Sequence, residues 1–226
     1  MSARAVIFDM DGLLIDSERS MLECWRITAA EQALQLGDDL WLSMVGMHDT
    51  ACAELLIRLL GAEKAAQLIV GSKNKYDRLV EQGLPLKAGV VELLEDLTAC
   101  GVPLAVATST RGERARIKLA RSGIDGYFSH VVTSSDVAHA KPAPDLYLLA
   151  AERLGIPPHE CIAIEDSEFG VRAASTAGMR VIQVPDLVST TDLTRSLATV
   201  LKSLPLARSH LEVWLQIALE KEPQTT

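Results

Sequence analysis

The sequence predicts an α/β fold, a parallel sheet flanked by helices with an all-helical insertion after its first strand. Three observations predict it. The short apolar run Ala5-Val6-Ile7-Phe8 stops abruptly at Asp9 and reads as a buried strand. A stretch with helical spacing then runs from about Glu18 to Gln82. From Gly83 onward short apolar runs alternate with helical ones, the pattern of a parallel sheet covered on both faces.

Each element has its own signal. In the insertion, Met21, Leu22, Trp25 and Ala29 follow helical spacing, and so do Leu55, Leu56, Leu59 and Leu60, with Asp49 or Thr50 as the expected N-cap. Ala62 to Gln82 makes a further helix, with a break expected near Gly71. Beyond Gly83-Leu84-Pro85 come a helix over Val90 to Cys100, with Gly101 suited to its C′ position, and a strand over Val102 to Ala107. Arg114 to Arg121 reads as a helix, His130 to Thr133 as a strand, and Asp145 to Leu154 as a helix. Cys161 to Ile164 is a strand, Phe169 to Ala177 a helix, and Arg180 to Val184 the last strand. Leu211, Val213, Trp214, Ile217 and Ala218 suit an amphipathic helix that closes the core, ahead of a polar tail from Glu220 to Thr226. The expected organisation is a core of residues 1–16 and 86–226 with an inserted cap of residues 17–85.

Composition narrows the partners. The chain has 226 residues, 48% of them hydrophobic, enough for a filled core. A formal charge of −8 argues against binding nucleic acid or an anionic membrane, both of which call for basic patches. No apolar span is long enough to cross a bilayer. The cysteines Cys24, Cys52, Cys100 and Cys161 form no CxxC pair, so zinc and a disulfide framework are not expected. Met1 leads almost directly into the first strand, leaving no room for a signal peptide. A cytoplasmic monomer acting on a small molecule is the expectation.

The chemistry is concentrated where strands end. Asp9 and Asp11, spaced i, i+2 and followed by Gly12, project to one side, and their like charges need a proton or a cation nearby. Oxygen ligands of this kind suit Mg²⁺. The second strand ends in Thr108-Ser109-Thr110, Lys141 follows the third, and the fourth ends in Glu165-Asp166-Ser167. Parallel strands bring these ends to one cleft, where open α/β sheets place their ligands. Taken singly, Thr108 is an ordinary strand-end hydroxyl, Lys141 a surface charge and Asp166-Ser167 an N-cap. Together and in this order they make a site.

This ordered set resembles the haloacid dehalogenase (HAD) superfamily of phosphoryl-transfer enzymes, with a Rossmann-like core. The insertion point and the string DMDGLLIDSE over residues 9–18 resemble the subgroup of β-phosphoglucomutase and small sugar-phosphate phosphatases. The resemblance implies Asp9 as nucleophile, forming an aspartyl-phosphate, and Asp11 as general acid/base. It implies Mg²⁺ held by the Asp9 carboxylate, the Asp11 carbonyl and Asp166, with Glu165 assisting directly or through water. Thr108, Ser109 and Lys141 would contact the phosphoryl oxygens. Hydrolytic dehalogenases of this superfamily lack an acid at the place of Asp11, so phosphate esters are the expected substrates.

Specificity is expected from the cap. The candidates are His48 and Lys73, with Lys75 beside it, and on the core side Thr110 and Arg111, which resemble residues that grip a distal phosphate in the mutases. The mutases carry a cap histidine where this chain has Met21, which favours a phosphatase of small phosphomonoesters. A sugar-phosphate mutase, a non-catalytic sugar-phosphate binding protein and a two-component receiver domain are the alternatives, the last set back by the large insertion.

Overall fold

A computed structural model describes residues 2–45, 47 and 49–219. Strands β1 (Ala5–Phe8), β2 (Leu104–Thr108), β3 (His130–Thr133), β4 (Cys161–Glu165), β5 (Arg180–Gln183) and β6 (Thr199–Val200) form one sheet. Its order is β3-β2-β1-β4-β5-β6 and every pairing is parallel. All residues of β1, β2 and β4 are buried, as their unbroken apolar runs require of strands covered on both faces. One face carries Val6, Phe8, Val106, Ile162 and Ile164. The other carries Ala5, Ile7, Ala105, Ala107 and Ala163, and the small residues let helices approach closely.

Between β1 and β2 lie α1 (Ser17–Glu31), α2 (Asp38–Met44), α3 (Asp49–Leu60), α4 (Ala62–Gln82) and α5 (Val90–Ala99). The first four have their own apolar cluster around Leu22, Trp41, Leu56 and Leu68, where Trp25 stacks on Trp41 at 6.2 Å between ring centroids. The core helices are α6 (Gly112–Arg121), α7 (Asp145–Leu154), α8 (Glu168–Thr176), α9 (Asp192–Leu197) and α10 (Ala207–Leu215). Among the described residues no helix is long and apolar enough to cross a membrane, and the four cysteines form no disulfide.

The two connections between cap and core run side by side. Asp16 N donates to Pro85 O at 2.8 Å and Lys87 N to Leu14 O at 2.9 Å, while Ile15 bridges both Asp11 and Leu86. Lys87 Nζ lies 2.6 Å from Asp186 Oδ1 and 3.3 Å from Asp16 Oδ1, and Arg19 Nη2 reaches the same Asp186 oxygen at 2.8 Å. The cap is thereby tied to the loop beyond β5.

Several expectations change. Helix α4 runs unbroken through Gly71, because a Cβ there would lie 2.6 Å from Thr28 Cγ2, and the bare backbone lets α1 and α4 touch. Helix α3 already contains Asp49 and Thr50 rather than starting after one of them, and its Leu59 is exposed, off the buried stripe. The short α9 and β6 are additions, α9 being started by a capping box in which Thr191 and Thr194 bond reciprocally. The last helix begins earlier, at Ala207, and ends at Leu215, while Ile217 packs on the core from the segment beyond it. The tail from Glu220 and the candidate His48 lie outside the described residues.

Candidate active site

The site stands at the C-terminal ends of β1, β2 and β4. Asp9 follows β1 directly, held by Asp9 N donating to Ile164 O at 2.9 Å, and its side chain is almost wholly buried. Lys141, carried on the segment between β3 and α7, donates from Nζ to Asp9 Oδ1 at 2.5 Å, Glu165 Oε1 at 2.6 Å and Ala107 O at 2.9 Å. All three of its donors are satisfied. Burial alone would lower Lys141, but the Asp9 and Glu165 carboxylates outweigh it and hold the ammonium above the ordinary lysine range.

Ligand oxygens of Asp9, Glu165 and Asp166 all lie within 4.8 Å of one another. Burial drives the Asp9 carboxyl up to about 8 despite Lys141, and the Glu165 and Asp11 charges add to the rise. Burial also raises Asp166 well above the usual carboxylate range, with Asp9 and Glu165 reinforcing it. Glu165 goes the other way: burial raises it, but Lys141 and the Tyr147 hydroxyl overcome the rise. Three carboxylates therefore face one ammonium, an excess of negative charge in a dry place that a divalent cation would offset. The all-oxygen donor set fits Mg²⁺.

Glu165 is fully buried and the most tightly seated member. Tyr147 Oη donates to Oε1 at 2.7 Å, while Asp166 N, Ser167 N and Ser167 Oγ donate to Oε2 at 3.1–3.2 Å. Ser167 also caps α8 by accepting from Gly170 N, so its N-cap role and its site role coincide. Gly12 has φ +85°, and a Cβ on it would lie 2.2 Å from Asp166 Oδ2. Only glycine lets the chain turn there and leave room for that carboxylate.

The Asp11 carboxylate stands apart from this cluster. Lys118 Nζ donates to Oδ1 at 2.6 Å and Thr110 Oγ1 to Oδ2 at 2.6 Å. Burial raises Asp11, but Lys118 above all, then Thr110 and Ser17, bring it below the ordinary carboxylate range. Thr108 is buried and its Oγ1 accepts from Thr110 N at 3.0 Å, whereas Ser109 is exposed at the strand end. Thr110, expected at a distal phosphate, is engaged by Asp11 instead. Arg111 is exposed at the N-cap of α6, and Lys73 is exposed on α4 next to Lys75, which pairs with Glu31 at 2.8 Å.

Sequence reasoning missed Lys118, Tyr147 and Gly170. Lys118 had a legible signal: with Ala115 and Leu119 it occupies the buried stripe of α6, an odd place for a lysine. It also missed Glu18, in the first turn of α1, whose carboxyl is raised by burial and then by the Asp11 charge.

Residues 6–184 match the family described as haloacid dehalogenase-like hydrolase. The chain belongs to that family. This hydrolase is 33% identical over 181 residues to the fructose-1-phosphate phosphatase YqaB of Escherichia coli, covering 79% of this chain and 95% of the relative. It is 34% identical over 181 residues to the phosphorylated carbohydrates phosphatase of Thermotoga maritima, covering 79% and 83%. Among solved structures, a HAD family hydrolase from Deinococcus radiodurans with bound phosphate and sodium superposes with TM-score 0.85 at 28% identity, covering 97% and 99%. A putative β-phosphoglucomutase from Thermotoga maritima gives 0.80 at 30% identity, covering 95% and 100%.

Proposed function

We propose that this enzyme, a phosphoric monoester hydrolase of the HAD type, is a Mg²⁺-dependent phosphatase of small sugar phosphates that works through an aspartyl-phosphate on Asp9. The observation that carries the reading is the meeting of Asp9, Lys141, Glu165 and Asp166 at the ends of β1 and β4, with Asp11 separately held beside them. Bound by Asp9, Glu165, Asp166 and the Asp11 carbonyl, Mg²⁺ would neutralise charge on the phosphoryl group and on the carboxylates.

The chain's own residues do the rest. Asp9 attacks phosphorus as the ester P–O bond breaks, and Asp11 gives its proton to the departing alcohol oxygen. Asp11 then takes a proton from the water that hydrolyses the aspartyl-phosphate. Lys141 offers positive charge, and the hydroxyl of Thr108 with the Ser109 N–H offers donors, to the transferring oxygens. The helical insertion of residues 17–85, as a cap, excludes water and reads the alcohol portion, with His48, Lys73 and Arg111 as candidate contacts. A cytoplasmic monomer serving a diffusible ester belongs to the same proposal, and its size in solution is testable by light scattering.

A sugar-phosphate mutase is the second reading. Met21 in place of a proton-handling histidine, and Thr110 bonded to Asp11 rather than free for a second phosphate, speak for the phosphatase. The deciding experiment is phosphate release from a panel of phosphomonoesters, with Mg²⁺ and with EDTA, using Asp9→Asn as control. Release that needs both metal and Asp9 is expected. Interconversion of sugar phosphates without release would install the mutase, and neither activity would leave a binding protein.

A further inference from the structure

Lys118 is among the few charged side chains in the interior, with 5% of the residue exposed. Burying an ammonium is costly, and an apolar residue between Ala115 and Leu119 would serve the packing of α6 at least as well. The lysine is therefore present for what it holds. Its Nζ meets Asp11 Oδ1 at 2.6 Å, and from the other side Thr110 Oγ1 meets Oδ2 at 2.6 Å. These two donors fix the rotation of the Asp11 carboxyl group. Thr110 comes from the bend after β2 and Lys118 from α6, the helix that follows it.

The two donors are not equivalent. An ammonium carries three N–H donors and no acceptor, so an oxygen facing it cannot present a proton to it. A hydroxyl can turn from donor to acceptor. If Asp11 is the group that protonates the leaving alcohol, its proton sits on Oδ2, the oxygen facing Thr110, and never on Oδ1. We propose that Lys118 is a positioning residue for the general acid: by occupying Oδ1 it assigns the transferable proton to Oδ2 and, with Thr110, fixes the orientation of the carboxyl group. The inference rests on the phosphatase reading and adds a residue to it. The protons balance with Lys118 unchanged throughout. Oδ2 gives its proton to the alkoxide as the P–O bond breaks, and the same oxygen recovers one from water in the second step.

The cap reaches Lys118 through an aromatic ring. Tyr76, buried on α4, lies with its ring centroid 5.4 Å from Lys118 Nζ and 5.5 Å from the Arg114 guanidinium. Arg114 in turn pairs with Asp77 of the same helix at 2.6 Å. Tyr76 thus shields from water the side of the ammonium that Asp11 does not cover, and confines it to its position.

Leaving-group dependence separates aim from mere structure, because an aryl phosphate expels a stabilised phenolate that needs little protonation, whereas an alkyl phosphate needs the acid. The experiment compares kcat/KM for p-nitrophenyl phosphate with that for the alkyl phosphate the wild type turns over fastest. Lys118→Met is expected to lose about a hundredfold on the alkyl ester and less than about tenfold on the aryl one. Lys118→Arg, which restores a donor without an acceptor, is expected to recover most of the alkyl activity. Should Lys118→Met lack a cooperative melt, Lys118→Gln replaces it, since its amide lets either Asp11 oxygen hold the proton and the alkyl ester should again fall selectively. Equal losses on both esters, or no loss, overturn the inference while the phosphatase reading stands. A wild type inactive on every ester, or an Asp9→Asn variant that keeps full activity, removes that reading and the inference with it.

Discussion

The carboxylate of Glu165 occupies the space that a side chain on Gly170 would need. A Cβ built on Gly170 would lie 1.7 Å from Glu165 Oε1. The first turn of α8 is thus shaped around an acid five residues earlier, and the helix N-terminus also supplies donors to it. Gly170→Ala must push Glu165 or α8 aside. The expected result is a loss of about 1–3 kcal/mol in chemical denaturation, together with weaker Mg²⁺ binding by calorimetry. A variant as stable as the wild type, with unchanged metal affinity, would contradict the packing described.

Tyr147 tests the same acid from its other oxygen. Tyr147→Phe removes one donor from Glu165 Oε1 and leaves the ring that packs on the Ala105 face of the sheet. Glu165 keeps Lys141 and three donors on Oε2, so the fold should hold, at a cost of about 1–3 kcal/mol. Metal affinity should fall by about tenfold, the scale of a lost partner behind a ligand. Titration of both proteins with Mg²⁺ checks it.

Lys141→Met leaves Asp9 and Glu165 without the cation they share. In metal-free buffer the variant should be destabilised by roughly 3–5 kcal/mol, the cost of an uncompensated buried charge. Mg²⁺ should recover a larger part of its stability than it adds to the wild type, while turnover and vanadate binding stay lost. Melting curves with and without the ion read the first effect, and equal gains in both proteins would count against it.

Asp136 gives a pH dependence away from the site. Its Oδ2 accepts from Thr133 Oγ1 at 2.6 Å and Thr133 N at 2.9 Å, and Arg153 reaches Oδ1 at 2.8 Å. The Thr133 hydroxyl first, and then Arg153, bring its pKa from 3.8 to about 2. A carboxyl depressed in the fold contributes stability that is complete above 3.8 and lost as the pH falls through about 2. Asp136→Asn should be less stable than the wild type at neutral pH, and the gap should narrow as the pH drops from about 4 toward 2. Urea midpoints across that range measure it, and a constant gap would refute it.

The parts of this molecule that were legible in its sequence share a physical reason. Asp9, Thr108 and Glu165 each close an unbroken apolar strand, so the change from buried run to polar residue marks both an element boundary and a site. The helical insertion was legible because its period differs from that of the strands around it. What escaped notice depends on contacts between distant segments. Gly71 reads as a breaker until Thr28 is packed against it, and Gly170 reads as an ordinary helix residue until Glu165 is seen in its place. Strand β6 has two residues, too few for any period to register. Lys118 sits in a run that also holds Arg114, Arg116 and Arg121, and its place on the stripe of Ala115 and Leu119 was the one sign that set it apart from them.

The paired connections at Asp16–Pro85 and Lys87–Leu14 make the insertion resemble a cassette plugged into one socket. Both leads enter at the same edge, so another helical insert could be spliced between residues 16 and 86 with no strand re-registered. Four buried residues would have to be matched by any replacement, because Cys24, Tyr76, Val80 and Leu84 are shared with the apolar layer beneath. A foreign insert would be accepted or refused on that shared layer, where Tyr76 also meets the Lys118 ammonium.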